Sequence, residues 1–304
     1  MKELIHFKKQ RELGDILSDT FKFLRLEYKP LFKALMRNAA IPFIILIAIS
    51  AYFTSISADI SFLNFETINA TDIILPIIAI LIAVLFYYGV LYGTILNYIK
   101  LYIQNEGVVD QNELKSAVKS QLGGLTGLSF GLFFTILFTF IILIAPSMAI
   151  NYIFGGLILF FLFFAFIYFS TTVSLSFPVK VFKETNIVNS VKDSFRLIKG
   201  EWWMTFATIL VMGLLVYVAN IVFSVPVIIY SLVKTFTSAD QISQGDVSGM
   251  IDWVYITLNA ISTAIQYILA GIYAIAIAFI YFNLNEKINQ TGTFETIDSI
   301  GSDL

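Results

Sequence analysis

Long apolar stretches without a charged side chain recur along the whole chain. The longest runs from Ser120 to Val179, and similar gaps separate Arg37 from Asp59 and Glu201 from Lys234. About 20 apolar residues cross the hydrocarbon core of a bilayer, so each gap holds at least one membrane helix and the longest holds two. The pattern predicts an all-α polytopic membrane helix bundle with six transmembrane helices.

The charge gaps also give a domain organisation. The predicted spans are 38–57, 73–99, 125–146, 152–179, 202–233 and 253–283. Pro146 and residues 147–151, which include the polar Ser147 and Asn151, are the predicted turn between the third and fourth spans, because proline ends helices and polar residues favour turns. Residues 1–37 form a cytoplasmic amphipathic segment, residues 38–283 the transmembrane domain, and residues 284–304 an acidic cytoplasmic tail for which we expect disorder.

Lys and Arg are concentrated on one side of these spans. All of them except Lys234 fall in residues 1–37, 100–124, 180–201 or after 283, whereas the loops 58–72 and 234–252 are acidic. The positive-inside rule then predicts that both termini lie in the cytoplasm. Many charged and amphipathic residues precede the first apolar run, so we expect no cleaved secretory signal.

Two stretches of similar sequence lead into the first and fifth spans. Residues 19–32 read DTFKFLRLEYKPLF and residues 193–206 read DSFRLIKGEWWMTF, and they share an Asp, two Phe and a Glu at equivalent positions. We call them the first and second lead-in segments. A weaker copy lies at 110–122. The interpretation is an internal repeat of amphipathic helix, membrane helix, loop and membrane helix, used three times, although similar composition alone would supply several of the matches.

Both lead-in segments are amphipathic with basic faces, because their apolar residues recur in steps of three and four. The basic residues are Lys22, Arg25, Lys29 and Lys33 in or next to the first, and Lys192, Arg196 and Lys199 in or next to the second. Such faces bind anionic lipid surfaces, dock a cytoplasmic partner, or simply frame the bundle. The sequence leaves these three interpretations open.

Small residues recur every four positions within three spans. They are Gly123, Gly127 and Gly131 in the third span, Gly89 and Gly93 in the second, and Ala270, Ala274 and Ala278 in the sixth. This spacing lets helix backbones approach closely in a bilayer. We interpret these residues as helix-packing positions, either within the chain or between chains.

Neutral polar side chains are scattered through the spans. Tyr92, Ser174 and Gln266 are candidates for lining a cavity in a transporter or lipid-handling protein. Interhelical hydrogen bonds are the alternative use of such groups.

Charged side chains are absent from all six predicted spans, and the chain has one His and no Cys. Proton-coupled pumps, voltage sensors and intramembrane metalloproteases use intramembrane ionisable or metal-binding groups. We therefore expect no enzyme activity, no cofactor and no metal. With 58% hydrophobic and 13% charged residues, against about 25% charged in soluble domains, a soluble fold is excluded.

The two lead-in segments, DTFKFLRLEYKPLF and DSFRLIKGEWWMTF, each run from a basic amphipathic stretch into an apolar span. In this the chain resembles bacterial six-helix membrane proteins such as the membrane domain of some glycerophosphodiester phosphodiesterases. The resemblance implies an accessory membrane module, and the phosphodiesterase activity is not expected because no catalytic domain is present.

The function expected is that of a non-catalytic scaffold or accessory subunit of a larger membrane assembly, of which protein-export or insertion machinery is one kind. The alternative is the transporter or lipid-handling protein with a neutral polar cavity. Expected partners are the lipid bilayer and other membrane proteins, and no nucleic acid.

Overall fold

The computed structural model describes residues 4–56, 70–150, 152–239 and 251–294. The helices are α1 (Leu13–Ile56), α2 (Ala70–Gln104), α3 (Gln111–Ile150), α4 (Tyr152–Val173), α5 (Ser176–Phe182), α6 (Ile187–Ile198), α7 (Trp202–Thr237) and α8 (Trp253–Asn289). Within these described ranges, six candidate spans are long and apolar enough to cross a membrane, with α4 and α5 together forming one of them. The predicted six-helix all-α membrane bundle is confirmed.

Several helices extend beyond the predicted spans. α1 continues without interruption through residues 37 and 38, so the first lead-in segment and the first span form one helix of 44 residues. α8 continues through residue 283 to Asn289, and Leu284 and Glu286 in this extension are buried. Residues 58–69 of the predicted loop 58–72, residues 240–250 of the predicted loop 234–252 and the tail residues 295–304 lie outside the described residues.

The turn expected at Pro146 is displaced. Pro146 and Ser147 lie inside α3, which ends at Ile150, and α4 begins at Tyr152. The prediction applied the behaviour of proline in soluble helices, whereas membrane helices tolerate interior proline because local adjustments and hydroxyl groups re-satisfy the backbone.

Two short interruptions of the helical structure lie between α4 and α5 and between α6 and α7. Ser174 and Leu175 separate α4 from α5, and Pro178 sits in the first turn of α5, where its missing N–H costs no hydrogen bond. Gly200 adopts φ +90° between α6 and α7, a conformation that favours glycine. The second lead-in segment is therefore interrupted at Gly200, whereas the first lies within one continuous helix.

The long helices pack as neighbours in the order α7, α8, α1, α2, α3 and α4, and α5 and α6 pack across α2 and α8. The end of the bundle that carries α5, α6 and the 105–110 connection is called the basic side here, and the end that carries the α3–α4 turn and the start of α8 is the opposite side. Buried residues concentrate on the basic side, where Ala274–Glu286 of α8 occupies the centre. The interior of the protein is therefore a layer on the basic side.

Candidate functional site

The chain preceding α1 packs into the basic side. The Ile5 backbone N–H donates to the Tyr102 hydroxyl at 3.1 Å, and the Arg11 N–H donates to Asn283 Oδ1 at 2.8 Å. The Phe7 ring stacks on Phe279 with centroids 4.5 Å apart. These contacts join the N-terminal segment to α2 and α8, so residues far apart in sequence form one core.

Arg11 is almost fully buried in this layer. Its Nε lies 2.9 Å from Asp19 Oδ2, and its guanidinium donates to the backbone carbonyls of His6 and Phe7. Burial lowers the pKa of Arg11, and the hydrogen bond and charge of Asp19 oppose that effect. The ion pair fixes the first turns of α1 and thereby the orientation of the first lead-in segment.

Glu27 is the buried carboxylate of the first lead-in segment. The Tyr98 hydroxyl of α2 donates to Glu27 Oε2 at 2.8 Å, and Phe23, one turn earlier, packs edge-on against Tyr98 and Tyr102. A buried carboxylate is retained only with hydrogen-bond partners. This contact turns the opposite face of α1 outward.

The outward face of the first lead-in segment alternates aromatic and basic residues. Phe21, Tyr28 and Phe32 are exposed, and so are Arg25, Lys29 and Lys33. Lys29 Nζ lies 5.7 Å from the centre of the Tyr28 ring. Lys22 is half-buried at the margin of this face.

The second lead-in segment is held by its own ion pair. Lys183 Nζ lies 2.8 Å from Asp193 Oδ2, and Arg196 lies 3.7 Å from the other carboxylate oxygen. The hydrogen bond from Lys183 holds the pKa of Asp193 below its usual range. The Ser194 hydroxyl donates to the Thr172 carbonyl, which ties α6 to α4.

This arrangement leaves Lys192, Arg196 and Lys199 exposed. The Trp202 ring stacks on Tyr168 and Phe206 with centroids 5.5 and 5.2 Å away, whereas Trp203 is 76% exposed. The second segment therefore also presents cations beside an exposed aromatic ring.

Some of the glycines predicted as helix-packing positions lie against another helix, and others have no close neighbour. A Cβ built on Gly89 would lie 2.7 Å from Thr126 Cγ2, and one on Gly93 would lie 3.0 Å from Leu125, so both adjoin α3. A Cβ on Gly127 would lie 3.2 Å from Ile187 of α6. Gly123 and Gly131 are exposed and have no such neighbour within 4 Å.

The alanine stripe follows α8 into the centre of the core. Ala274 and Ala278 are fully buried and Ala270 is half-buried. Beside it, a Cβ on Gly271 would lie 3.1 Å from Ile95. The small residues of α8 therefore adjoin α2.

The three cavity candidates are dispersed. Tyr92 is buried with its ring centroid 4.9 Å from that of Phe177, the Ser174 hydroxyl donates to the Thr171 carbonyl, and Gln266 is exposed. Within the described chain no hydrogen bond joins any two of them. A groove of about 510 Å³ lies elsewhere, between α3 and α4, and Thr139, Phe140 and Ala165 are among its apolar lining.

Sequence reasoning missed Arg11, Tyr98 and Asn283 as organising residues. Tyr98 and Asn283 lay at or near the ends of predicted spans, and in the sequence Arg11 was only one of many basic residues. The shared Glu at positions 27 and 201 was the available signal, since Glu27 is buried and Glu201 pairs with Lys287 at 2.9 Å.

No cluster of three or more His, Asp or Glu side chains placed to hold a metal ion occurs among the described residues. Comparison with family models, curated proteins and solved structures finds no match for the chain. Its function therefore has to be argued from its own geometry.

Proposed function

We propose that this chain is a non-catalytic scaffold or accessory subunit of a larger membrane assembly in a bacterial inner membrane, with both termini in the cytoplasm. The observation that carries the proposal is the unequal burial of the spans. In the most apolar window of each span, 56% of the residues of α8 are buried, against 6% in the α4–α5 span. The chain leaves most of its membrane surface open to lateral contact.

α4 presents the most open of these surfaces. Phe160, Phe161, Phe163 and Phe164 are all exposed, and these four positions point in different directions around the helix. Lipid covers apolar side chains without penalty, so exposure alone does not demand a partner. The exposed rings nonetheless provide the edge-to-face and stacked contacts by which aromatic side chains pack against another helix.

The hydroxyl groups of the spans support a packing role over transport. Thr94 donates to the Val90 carbonyl at 2.8 Å, Thr172 to the Tyr168 carbonyl at 2.7 Å and Thr208 to the Met204 carbonyl at 2.8 Å. A hydroxyl that bonds to its own helix leaves less capacity for a substrate. Their arrangement agrees with a protein that works by contact.

Crosslinking in native membranes tests the proposal. A photoreactive phenylalanine analogue at Phe161 of the tagged, full-length chain should give adducts of discrete protein mass, followed by copurification in mild detergent. The same analogue at Phe279, which is fully buried, is the matched control and should give no intermolecular adduct. Lipid adducts alone at Phe161, with a lone monomer recovered in several gentle detergents, would contradict the proposal.

A second candidate function, lipid handling, is favoured by the apolar groove between α3 and α4. Ala165→Phe would fill this groove, so it should reduce the phospholipid that copurifies with the chain if the groove holds a lipid. Ala51→Phe, on α1 and outside the groove lining, is the control. Unchanged phospholipid content in both variants would remove this candidate.

A further inference from the structure

The basic faces of the lead-in segments include cations that have no ion-pair partner among the described residues. Arg25, Lys29 and Lys33 of α1 and Lys192 and Lys199 of the second segment form no ion pair with another described residue. Asp19 and Asp193 are already engaged, by Arg11 at 2.9 Å and Lys183 at 2.8 Å. The exposed cations are therefore available to an anion from outside the described chain.

Exposed aromatic rings accompany these cations on the same helix faces. Phe21, Arg25, Tyr28 and Phe32 follow the spacing i, i+4, i+7 and i+11, which places them on one face of α1. Val188, Lys192, Phe195 and Lys199 follow the same spacing along α6 and its C-cap. Cations beside exposed apolar and aromatic side chains are the composition of a surface that lies at the headgroup level of a bilayer.

The two segments match in environment as well as in sequence. Phe21 is 41% exposed and its counterpart Phe195 is 38% exposed, while Thr20 and Ser194 are both fully buried. The bend at Gly200 lies within the second segment, so this correspondence in exposure is limited to the matched residues that precede it. The same surface therefore occurs twice, on α1 and on α6, both of which contact the central α8.

We infer that the two lead-in segments are binding sites for the headgroups of anionic phospholipids. The cations of each segment pair with the phosphate, and the neighbouring rings insert among the first carbons of the acyl chains. Continuity with the membrane surface favours a lipid over an acidic soluble protein. On α1 the exposed face continues as far as Met36, next to the start of the first predicted span, and the second segment reaches Trp203 at the start of α7. A soluble partner would have to cover apolar surface that adjoins the hydrocarbon.

Native mass spectrometry of the full-length chain in a neutral detergent tests the inference, with phosphatidylglycerol as the probe and phosphatidylcholine as its uncharged counterpart. We expect preferential binding of phosphatidylglycerol. Each removed cation should weaken it about fivefold, so that Arg25→Gln with Lys29→Gln, or Lys192→Gln with Lys199→Gln, weakens the corresponding site about 25-fold.

Lys115 and Lys119 of α3 provide the matched control. Both are exposed, but no exposed aromatic side chain lies on α3 between Gln111 and Phe133. Lys115→Gln with Lys119→Gln should change phosphatidylglycerol binding less than twofold. An equal loss in all three double variants, or equal binding of the two lipids by the unaltered chain, would overturn the inference. So would loss of a copurifying acidic protein in the lead-in variants while phosphatidylglycerol binding stays unchanged.

Brominated lipids give an independent readout at the second segment. Trp203 and Trp253 are exposed to a similar degree at opposite ends of the bundle. The combined fluorescence of Trp202 and Trp203, measured in a Trp253→Phe background, should be quenched more by brominated phosphatidylglycerol than by brominated phosphatidylcholine. Lys192→Gln with Lys199→Gln should abolish that difference. Equal quenching by the two lipids before substitution would contradict the inference.

Discussion

Aromatic and charged side chains fill the interior on the basic side, whereas on the opposite side the helices meet through isolated polar contacts. On the basic side Phe7, Phe23 and Phe279 form one ring cluster with Tyr102. On the opposite side Ser224 bonds to Ser262 at 2.9 Å and Asn259 to Thr54 at 3.1 Å, between helices with widely exposed surfaces.

The lengths of the helices explain the difference. α1 has 44 residues, and at about 1.5 Å per residue it is about twice as long as the ~30 Å hydrocarbon core is thick. The part of α1 before residue 38 therefore extends past the hydrocarbon on the basic side. On the basic side, water makes the burial of aromatic surface favourable. Between the helices on the opposite side the surroundings are lipid, which provides no hydrophobic driving force for packing. We conclude that the stability of the chain comes mainly from the buried layer on the basic side.

Truncation of a core ring should produce the largest effect. Phe23 is fully buried, so Phe23→Ala should lower the free energy of unfolding by about 3–5 kcal/mol, through lost burial and a residual cavity. Phe161→Ala on α4, where the ring is 68% exposed, is the matched control and should cost less than about 0.5 kcal/mol. Denaturant unfolding in mixed micelles measures both. Equal losses would remove the distinction between the two halves.

Removal of one polar contact should also destabilise the fold more on the basic side than on the opposite side, although both losses in stability should be smaller. Tyr98→Phe removes the hydroxyl that donates to Glu27 and should cost about 1.5–3 kcal/mol, because a buried carboxylate loses a donor. Ser224→Ala on the opposite side should cost about 0.6 kcal/mol, the average for hydrogen bonds between membrane helices. The same unfolding assay compares them, and a larger loss for Ser224→Ala would contradict the account.

Gly89 and Gly131 were both predicted as helix-packing positions, and their substitution compares a contacting glycine with an open one. Gly89→Ala places a Cβ 2.7 Å from Thr126 Cγ2 and 3.0 Å from its Cα, so the α2–α3 contact has to open, at about 1–3 kcal/mol. Gly131→Ala meets no such neighbour within 4 Å and should leave stability unchanged or slightly raised. Thermal unfolding midpoints in detergent test this pair. A destabilised Gly131→Ala would indicate a contact with another chain.

The smallest expected effect concerns an ion pair on the opposite side. Lys234 Nζ lies 2.8 Å from Asp252 Oδ2, and the Tyr230 hydroxyl donates to the same oxygen at 2.6 Å. These contacts hold the pKa of Asp252 well below its usual range. A lowered carboxylate pKa stabilises the fold above about pH 4, the ordinary value, and the gain is lost as pH falls through the lowered value.

The unfolding midpoints of the unaltered chain and Asp252→Asn should therefore differ at pH 7 and converge on acidification. The difference should be slight, because the pair is partly exposed to solvent. A difference that grows as the pH falls would contradict the assignment.

The spans could be predicted from the sequence because a segment that crosses a bilayer has to be apolar, and long stretches without charged residues identify such segments directly. It did not predict the packing of residues 4–12, since these residues have no helical periodicity and Arg11 is indistinguishable in sequence from the exposed basic residues. Spacing identified small residues but not their neighbours, so Gly89 and Gly131 belonged to one class although only Gly89 contacts another helix. The two lead-in faces were visible in the pattern, whereas the exposure of their cations and rings required the structure.

Cysteine labelling tests the central claim, that the packed layer and its lead-in segments lie at the cytoplasmic face. The chain contains no cysteine, so Lys199→Cys on the basic side and Thr237→Cys on the opposite side each introduce a single site, and both positions are exposed. With a membrane-impermeant maleimide, the account predicts labelling of Thr237→Cys in intact bacterial spheroplasts and of Lys199→Cys only after permeabilisation. Labelling of Lys199→Cys in intact spheroplasts would contradict it.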